Sequence, residues 1–246
     1  MLAASRDEKP SRLALAYLAI EKASGRMDRP ALVVAPTSVL TNWRREAERF
    51  VPDLKVLTLH GLDRKSRFGE IAGHDLVLTT YPLLARDHAI LQAQHWHVVV
   101  LDEAQVIKNP DAATTQLVFE LEARHRLCLT GTPLENHLGE VWSLFAFLCP
   151  GFLGDRQSFK RQWRTPIEKR GDADRRRLLA RRLHLDRLDN LSLGWQLSGN
   201  LGLGPAQQER PNAARQQPAA IGIAPLLDRR TPLPLETLPV AKKAGA

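Results

Sequence analysis

The strongest constraint on this chain is the run HVVVLDEA at residues 97–104, where four apolar residues lead straight into two carboxylates. A short continuous apolar run is the pattern of a strand buried on both faces, as in a parallel sheet. Asp102 and Glu103 then fall at its carboxyl end, where open α/β sheets bind their ligands. A strand that ends in solvated acids is common, so the pair by itself decides nothing. Two adjacent acids at the mouth of a buried strand are costly unless a cation or a proton transfer uses them.

The flanking sequence repeats the pattern. ALVVA (31–35), KVLTLH (55–60), DLVLTT (75–80) and RLCLTGTP (126–133) read as further strands. Helical patterns cover 12–24, 38–50, about 111–123 and 137–148, with a basic helix near 175–183. Strands alternating with helices imply right-handed crossovers and a doubly wound parallel sheet.

Composition narrows the class. The 43% hydrophobic fraction is enough for a core. Cys128 and Cys149 are too few for a disulfide scaffold or a four-cysteine zinc site. No apolar run reaches the roughly 20 residues of a membrane helix, and MLAASRDEKPSR is too polar for a signal peptide. A cytosolic location is expected. The formal charge of +8 favours a polyanionic partner, and Arg and Lys crowd residues 156–187. That crowding fits a solvated helix face as well as a nucleic-acid patch.

Near residue 184 the pattern stops. Seven of the 16 prolines lie between Pro205 and Pro239, and no apolar period survives. Proline blocks helix interiors and removes backbone donors, so 184–246 is expected to be a Pro-rich disordered tail.

Three more segments carry polar residues at strand ends. LVVAPTSVLTNW (32–43) places Thr37 and Ser38 at a helix start, whose free amides suit a phosphate, though an N-cap alone would look the same. DLVLTTYPLL (75–84) repeats the device at Thr79, Thr80 and Tyr81. Thr130-Gly131-Thr132-Pro133 follows a strand neighbouring the acids.

Taken together and in order, these segments resemble the motor of superfamily two helicases, and within it the Swi/Snf-type (Snf-two family) DNA-dependent ATPases. LVVAPTSVLTNW is similar to motif Ia and DLVLTTYPLL to motif Ib. LDEAQVIKNP resembles motif II, a DEAH-like box in its DEAQ form, and LTGTPLENHLGEVWSLFAFLCPGFLG resembles motif III with its family-specific extension. The resemblance covers roughly residues 12–182. It implies the RecA-like, P-loop NTPase type of sheet and the first helicase lobe, with residues 12–183 as a partial ATP-binding lobe.

The resemblance also implies roles. Asp102 would hold Mg2+, usually through water, and Glu103 would activate water on the γ-phosphate of ATP. Gln105, Thr130, Gly131 and Thr132 would couple nucleotide state to DNA. Thr37, Ser38, Thr80 and Tyr81 would lie along double-stranded DNA. Lys108 and Asn109 could meet a phosphate or hold their loop. His60, Trp43, Trp142 and Phe145 read as packing or surface residues.

Two departures stand against the match. The family's GxGKT phosphate loop precedes the helix that corresponds here to 12–24, yet this sequence has SRDEKPSR at 5–12 and no Gly-Lys-Thr anywhere. Residues 1–11 are therefore expected to be an irregular N-terminus lacking that loop, with Lys9 and Ser11 at most a remnant. The second lobe, with its arginine finger, is absent from the 246 residues. A break near 184 is what a frameshift or truncation would produce. The expectation is a lobe fragment of an ATP-driven DNA translocase with little activity by itself, doubtful in ATP binding. The alternatives are a non-catalytic DNA- or partner-binding module, or a non-functional gene product.

Overall fold

The computed structural model describes residues 10–131, 137–183 and the backbone of 219–221. Five parallel strands form the sheet: β1 (Ala31–Ala35), β2 (Val56–Thr58), β3 (Leu76–Thr80), β4 (Trp96–Leu101) and β5 (Ala123–Thr130). Their spatial order is β2-β3-β1-β4-β5. The short strand β6 (Ala219–Ile221) pairs antiparallel with Cys128–Thr130 on β5.

The central strands are apolar because both faces are covered. In β1, Leu32 and Val34 face one core, while Ala31, Val33 and Ala35 face the other. Helices α1 (Pro10–Ala23) and α2 (Thr37–Phe50) close the second face with Leu15, Leu18, Leu40 and Trp43. The first face is closed by α3 (Tyr81–Arg86), α4 (His88–Gln92), α5 (Ala113–Phe119), α6 (Leu138–Leu148) and the C-terminal helices. Those are α7 (Arg156–Phe159), α8 (Thr165–Arg170), joined to α7 by a π-helical turn, and α9 (Ala173–Arg182). The expected doubly wound parallel sheet is thus present.

Register brings the strand ends together. Ala35 lies beside Thr80, and Leu101 lies between Val34 and Cys128. The residues that follow β1, β3, β4 and β5 therefore share one rim.

Several boundaries differ from the sequence reading. Helix α1 begins at Pro10, a position where a missing N–H costs nothing. So Pro10 and Ser11 are helical rather than irregular, and Ser11 Oγ hydrogen-bonds the buried Glu46 carboxylate. Strand β4 stops at Leu101, and Ala104–Ile107 form a 3-10 turn. Three elements had no local signal: a 3-10 stretch (Asp63–Gly73), α3 and α4. Residues 1–9, including Lys9, lie outside the described residues. So do Thr132, Pro133 and the tail at 184–246 apart from 219–221. Cys128 and Cys149 are free thiols, and burial pushes both thiols up. No helix among the described residues is long and apolar enough to cross a membrane.

Candidate nucleotide and nucleic-acid site

The rim is built around Asp102. Its backbone N–H donates to Val34 O at 2.9 Å, fixing it against β1. One carboxylate oxygen accepts from the Trp43 indole N–H at 2.7 Å, and the other accepts from the Glu103 backbone N–H at 3.0 Å. The Tyr81 hydroxyl donates to the Asp102 carbonyl at 2.8 Å. Helix α2 and the start of α3 thus clamp the same residue from two sides.

Burial raises the Asp102 carboxyl above the usual range, and the negative charges of Glu103 and Glu46 add to the rise. The Trp43 and Glu103 N–H donors oppose it. A half-buried carboxylate beside two further acids is relieved by a cation. Its hard oxygen donors suit Mg2+, which favours one or two carboxylates and retained waters. The residues present therefore fit that ion.

Glu103 is the one non-glycine residue with positive φ among the described residues, at φ 50° and ψ 53°. Left-handed backbone costs a side-chain-bearing residue energy, and it persists where the surroundings over-determine it. Here the turn reverses the chain straight after β4. Gln105 Nε2 donates to the Glu103 carboxylate at 2.6 Å, and Thr130 Oγ1 donates to Gln105 Oε1 at 2.8 Å. A hydrogen-bonded chain therefore links the end of β4 to the end of β5 through one amide side chain. Thr130 is fully buried and Gly131 half-buried beside it.

The other sequence-selected residues divide clearly. Thr37 and Ser38 are exposed in the first turn of α2, after Pro36. Thr80 and Tyr81 are buried, so their side chains serve the interior of the rim. Burial raises the Tyr81 phenol well above its ordinary value, so it stays a donor. Lys108 pairs with Glu140 at 3.6 Å, and Asn109 Oδ1 accepts from the Asp111 N–H at 3.0 Å, so both hold their loop. His60 is exposed, and the Trp142 indole donates to Gly154 O at 3.0 Å. Sequence reading missed the roles of Trp43 and Tyr81 as holders of Asp102. Its only signal for them was their place within the two motifs.

Between residues 156 and 182 there are eleven Lys and Arg against three acids, a surplus equal to the charge of the whole chain. Part of it is committed locally. Arg156 pairs with Asp111, Arg164 with Glu168, and Arg175 and Arg177 with Asp172 and Asp174.

A parallel sheet with paired acids at the end of a central strand, linked to a hydroxyl on the next, fits the RecA-like fold of a first helicase lobe. The comparisons with known proteins agree. The SNF2-related domain family matches residues 12–188, and the chain belongs to that family, as the N-terminal lobe of a superfamily two helicase motor. A putative ATP-dependent helicase/translocase, YwqA of Bacillus subtilis, is 42% identical over 168 residues. That match takes in 67% of this chain and 18% of the relative. The ISWI chromatin-remodeling complex ATPase ISW1 of Saccharomyces cerevisiae is 36% identical over 177 residues, covering 69% of this chain and 15% of its own length. The SWI2/SNF2 ATPase core of Sulfolobus solfataricus, solved in complex with double-stranded DNA, is 38% identical with a TM-score of 0.65. That likeness covers 70% of this chain and 36% of the solved chain. The chain therefore spans about a fifth or less of these two curated relatives.

Proposed function

We propose that the rim is the carboxylate half of an ATP-hydrolysing site coupled to movement on double-stranded DNA. In this reading Asp102 holds Mg2+ through water, and Glu103 orients or deprotonates the water that attacks the γ-phosphate. Gln105 and Thr130 carry the state of that site from one strand end to the next, and Gly131 and Thr132 share this coupling role by resemblance. Thr37 and Ser38 meet a DNA strand through hydroxyls and the free amides of the α2 start. Thr80 and Tyr81, being buried, act by holding the rim in shape.

The observation that carries this reading is the Glu103–Gln105–Thr130 chain. An amide that donates to the water-handling acid and accepts from a neighbouring strand cannot change one bond without disturbing the other.

A second reading, a DNA- or partner-binding module that does not turn over ATP, is supported by the basic stretch at 156–182. Titration with a fluorescent ATP analogue and Mg2+ separates the two. The catalytic reading expects Mg2+-dependent saturation that is lost in Asp102→Asn, with low DNA-stimulated turnover. Absence of any saturable signal leaves the binding module.

A further inference from the structure

At the opposite end of the sheet, three side chains converge that the ATPase reading does not use. Glu21 lies in the last turn of α1, His97 near the start of β4 and His125 near the start of β5. Val98 pairs with His125 in register, which puts His97 one residue away from that level. The ring centroids of His97 and His125 are 5.3 Å apart at 71°. One potential ligand atom from each of the three residues lies within 4.8 Å of the others. His97 is five residues from Asp102 along β4, or roughly 17 Å, so the cluster is remote from the rim.

We propose that Glu21, His97 and His125 form a binding site for a zinc-class divalent transition-metal ion. The donor set is two imidazoles and one carboxylate, which suits zinc and its neighbours and disfavours Mg2+ or Ca2+. The carboxylate is already oriented. Arg26 Nε and Nη2 both donate to Glu21 Oε1, at 3.0 and 2.6 Å, which leaves Oε2 facing His97 Nε2 at 3.1 Å. A guanidinium that fixes one oxygen while the other ligates is the outer support such sites use.

His97 is fully buried, and its Nδ1 has no hydrogen-bond partner among the described residues. One ring nitrogen ligates at a time, so a metal at Nε2, beside Glu21 Oε2, would leave Nδ1 to carry the ring proton. Burial lowers both imidazole pKa values from their ordinary range. Ligands of a tetrahedral zinc stand roughly 3.4 Å apart. His125 is half-exposed, so its ring would have to turn to close that difference, and its open side would admit a water as fourth ligand. Metal there would tie the end of α1 to the two strands that carry Asp102 and Thr130.

The test titrates the chelator-stripped 246-residue chain with Co2+ and then Zn2+. One equivalent of Co2+ is expected, with the visible absorption of a four- or five-coordinate nitrogen–oxygen site, displaced by Zn2+ and untouched by Mg2+. Bound Zn2+ raises Tm. Glu21→Gln and His125→Gln each weaken binding at least about tenfold. His88→Gln and His95→Gln, in the surface pairs with Glu120 and Glu122, leave it unchanged. Should Glu21→Gln fail to fold, the half-exposed His125→Gln still decides the matter. No saturable Co2+ uptake, or uptake equal in His125→Gln and wild type, overturns the proposal.

Discussion

At the residue scale, the site rests on one strained position. Glu103 must take left-handed backbone to reverse the chain after β4 while presenting its carboxylate. Glycine adopts that conformation freely, and a residue with a Cβ does not. Glu103→Gly is therefore expected to raise stability by about 1 kcal/mol, or about 2–4 °C in Tm, while removing the carboxylate proposed to handle the attacking water. Glu103→Gln keeps the Cβ and its strain, so it gains nothing comparable. Denaturant unfolding of the three proteins measures this, and a Gly variant no more stable than wild type would show that the turn stores no strain. The acids themselves were legible in the sequence, because an apolar strand running into Asp-Glu can be read locally. Their holders were not. Trp43 and Tyr81 are aromatic residues within ordinary motifs. Only tertiary packing shows that an indole N–H and a phenol reach Asp102 from 59 and 21 positions away.

At the scale of elements, β1 and β3 were read to within a residue, because strands buried on both faces are nearly pure apolar runs. Helix α2 was clear from its charged outer face and buried Leu40, Trp43 and Ala47. The 3-10 stretch Asp63–Gly73 was not, because DRKSRFGEIAG has no apolar period. What fixes it is distant: Arg64 makes two hydrogen bonds to the buried Asp87, at 2.7 and 3.0 Å, in the residue between α3 and α4. Strand periodicity cannot reveal a fold held by an ion pair between two loops. Helix α1 was legible in its body but not at its start. It packs through Leu15 and Leu18, both fully buried, on the face of the sheet opposite α6. Leu18→Ala is expected to cost about 2–5 kcal/mol by opening a cavity there. The exposed Ile20→Ala, on the outer side of the same helix, should cost well under half of that. Equal losses from both substitutions in chemical denaturation would mean that α1 is not docked as described.

At the scale of the whole molecule, the basic residues are concentrated in one stretch, and Arg156, Lys160 and Arg164 line a cavity with Lys108 and Asn109 of the loop after β4. The surplus of basic residues sits on α7 to α9, several of them already paired with neighbouring acids. The proposed DNA path instead crosses the exposed start of α2 at Thr37 and Ser38, a helix start with no side-chain cap. The two possibilities respond differently to charge. Ser38→Asp puts a carboxylate in the first turn of α2, where the helix dipole stabilises it, so folding should be unharmed or improved. If a phosphate backbone passes there, the same carboxylate repels it, and affinity for a short DNA duplex should fall at least about tenfold. Converting Arg175, Arg176 and Arg177 to Gln leaves the α2 path intact. It should reduce affinity less and flatten the dependence of log affinity on log salt by less than about 3. Fluorescence anisotropy over a salt series with the three proteins checks both expectations. A Ser38→Asp variant that binds like wild type, beside an Arg triple variant that loses most of its affinity, would move the DNA path from the strand ends to the C-terminal helices.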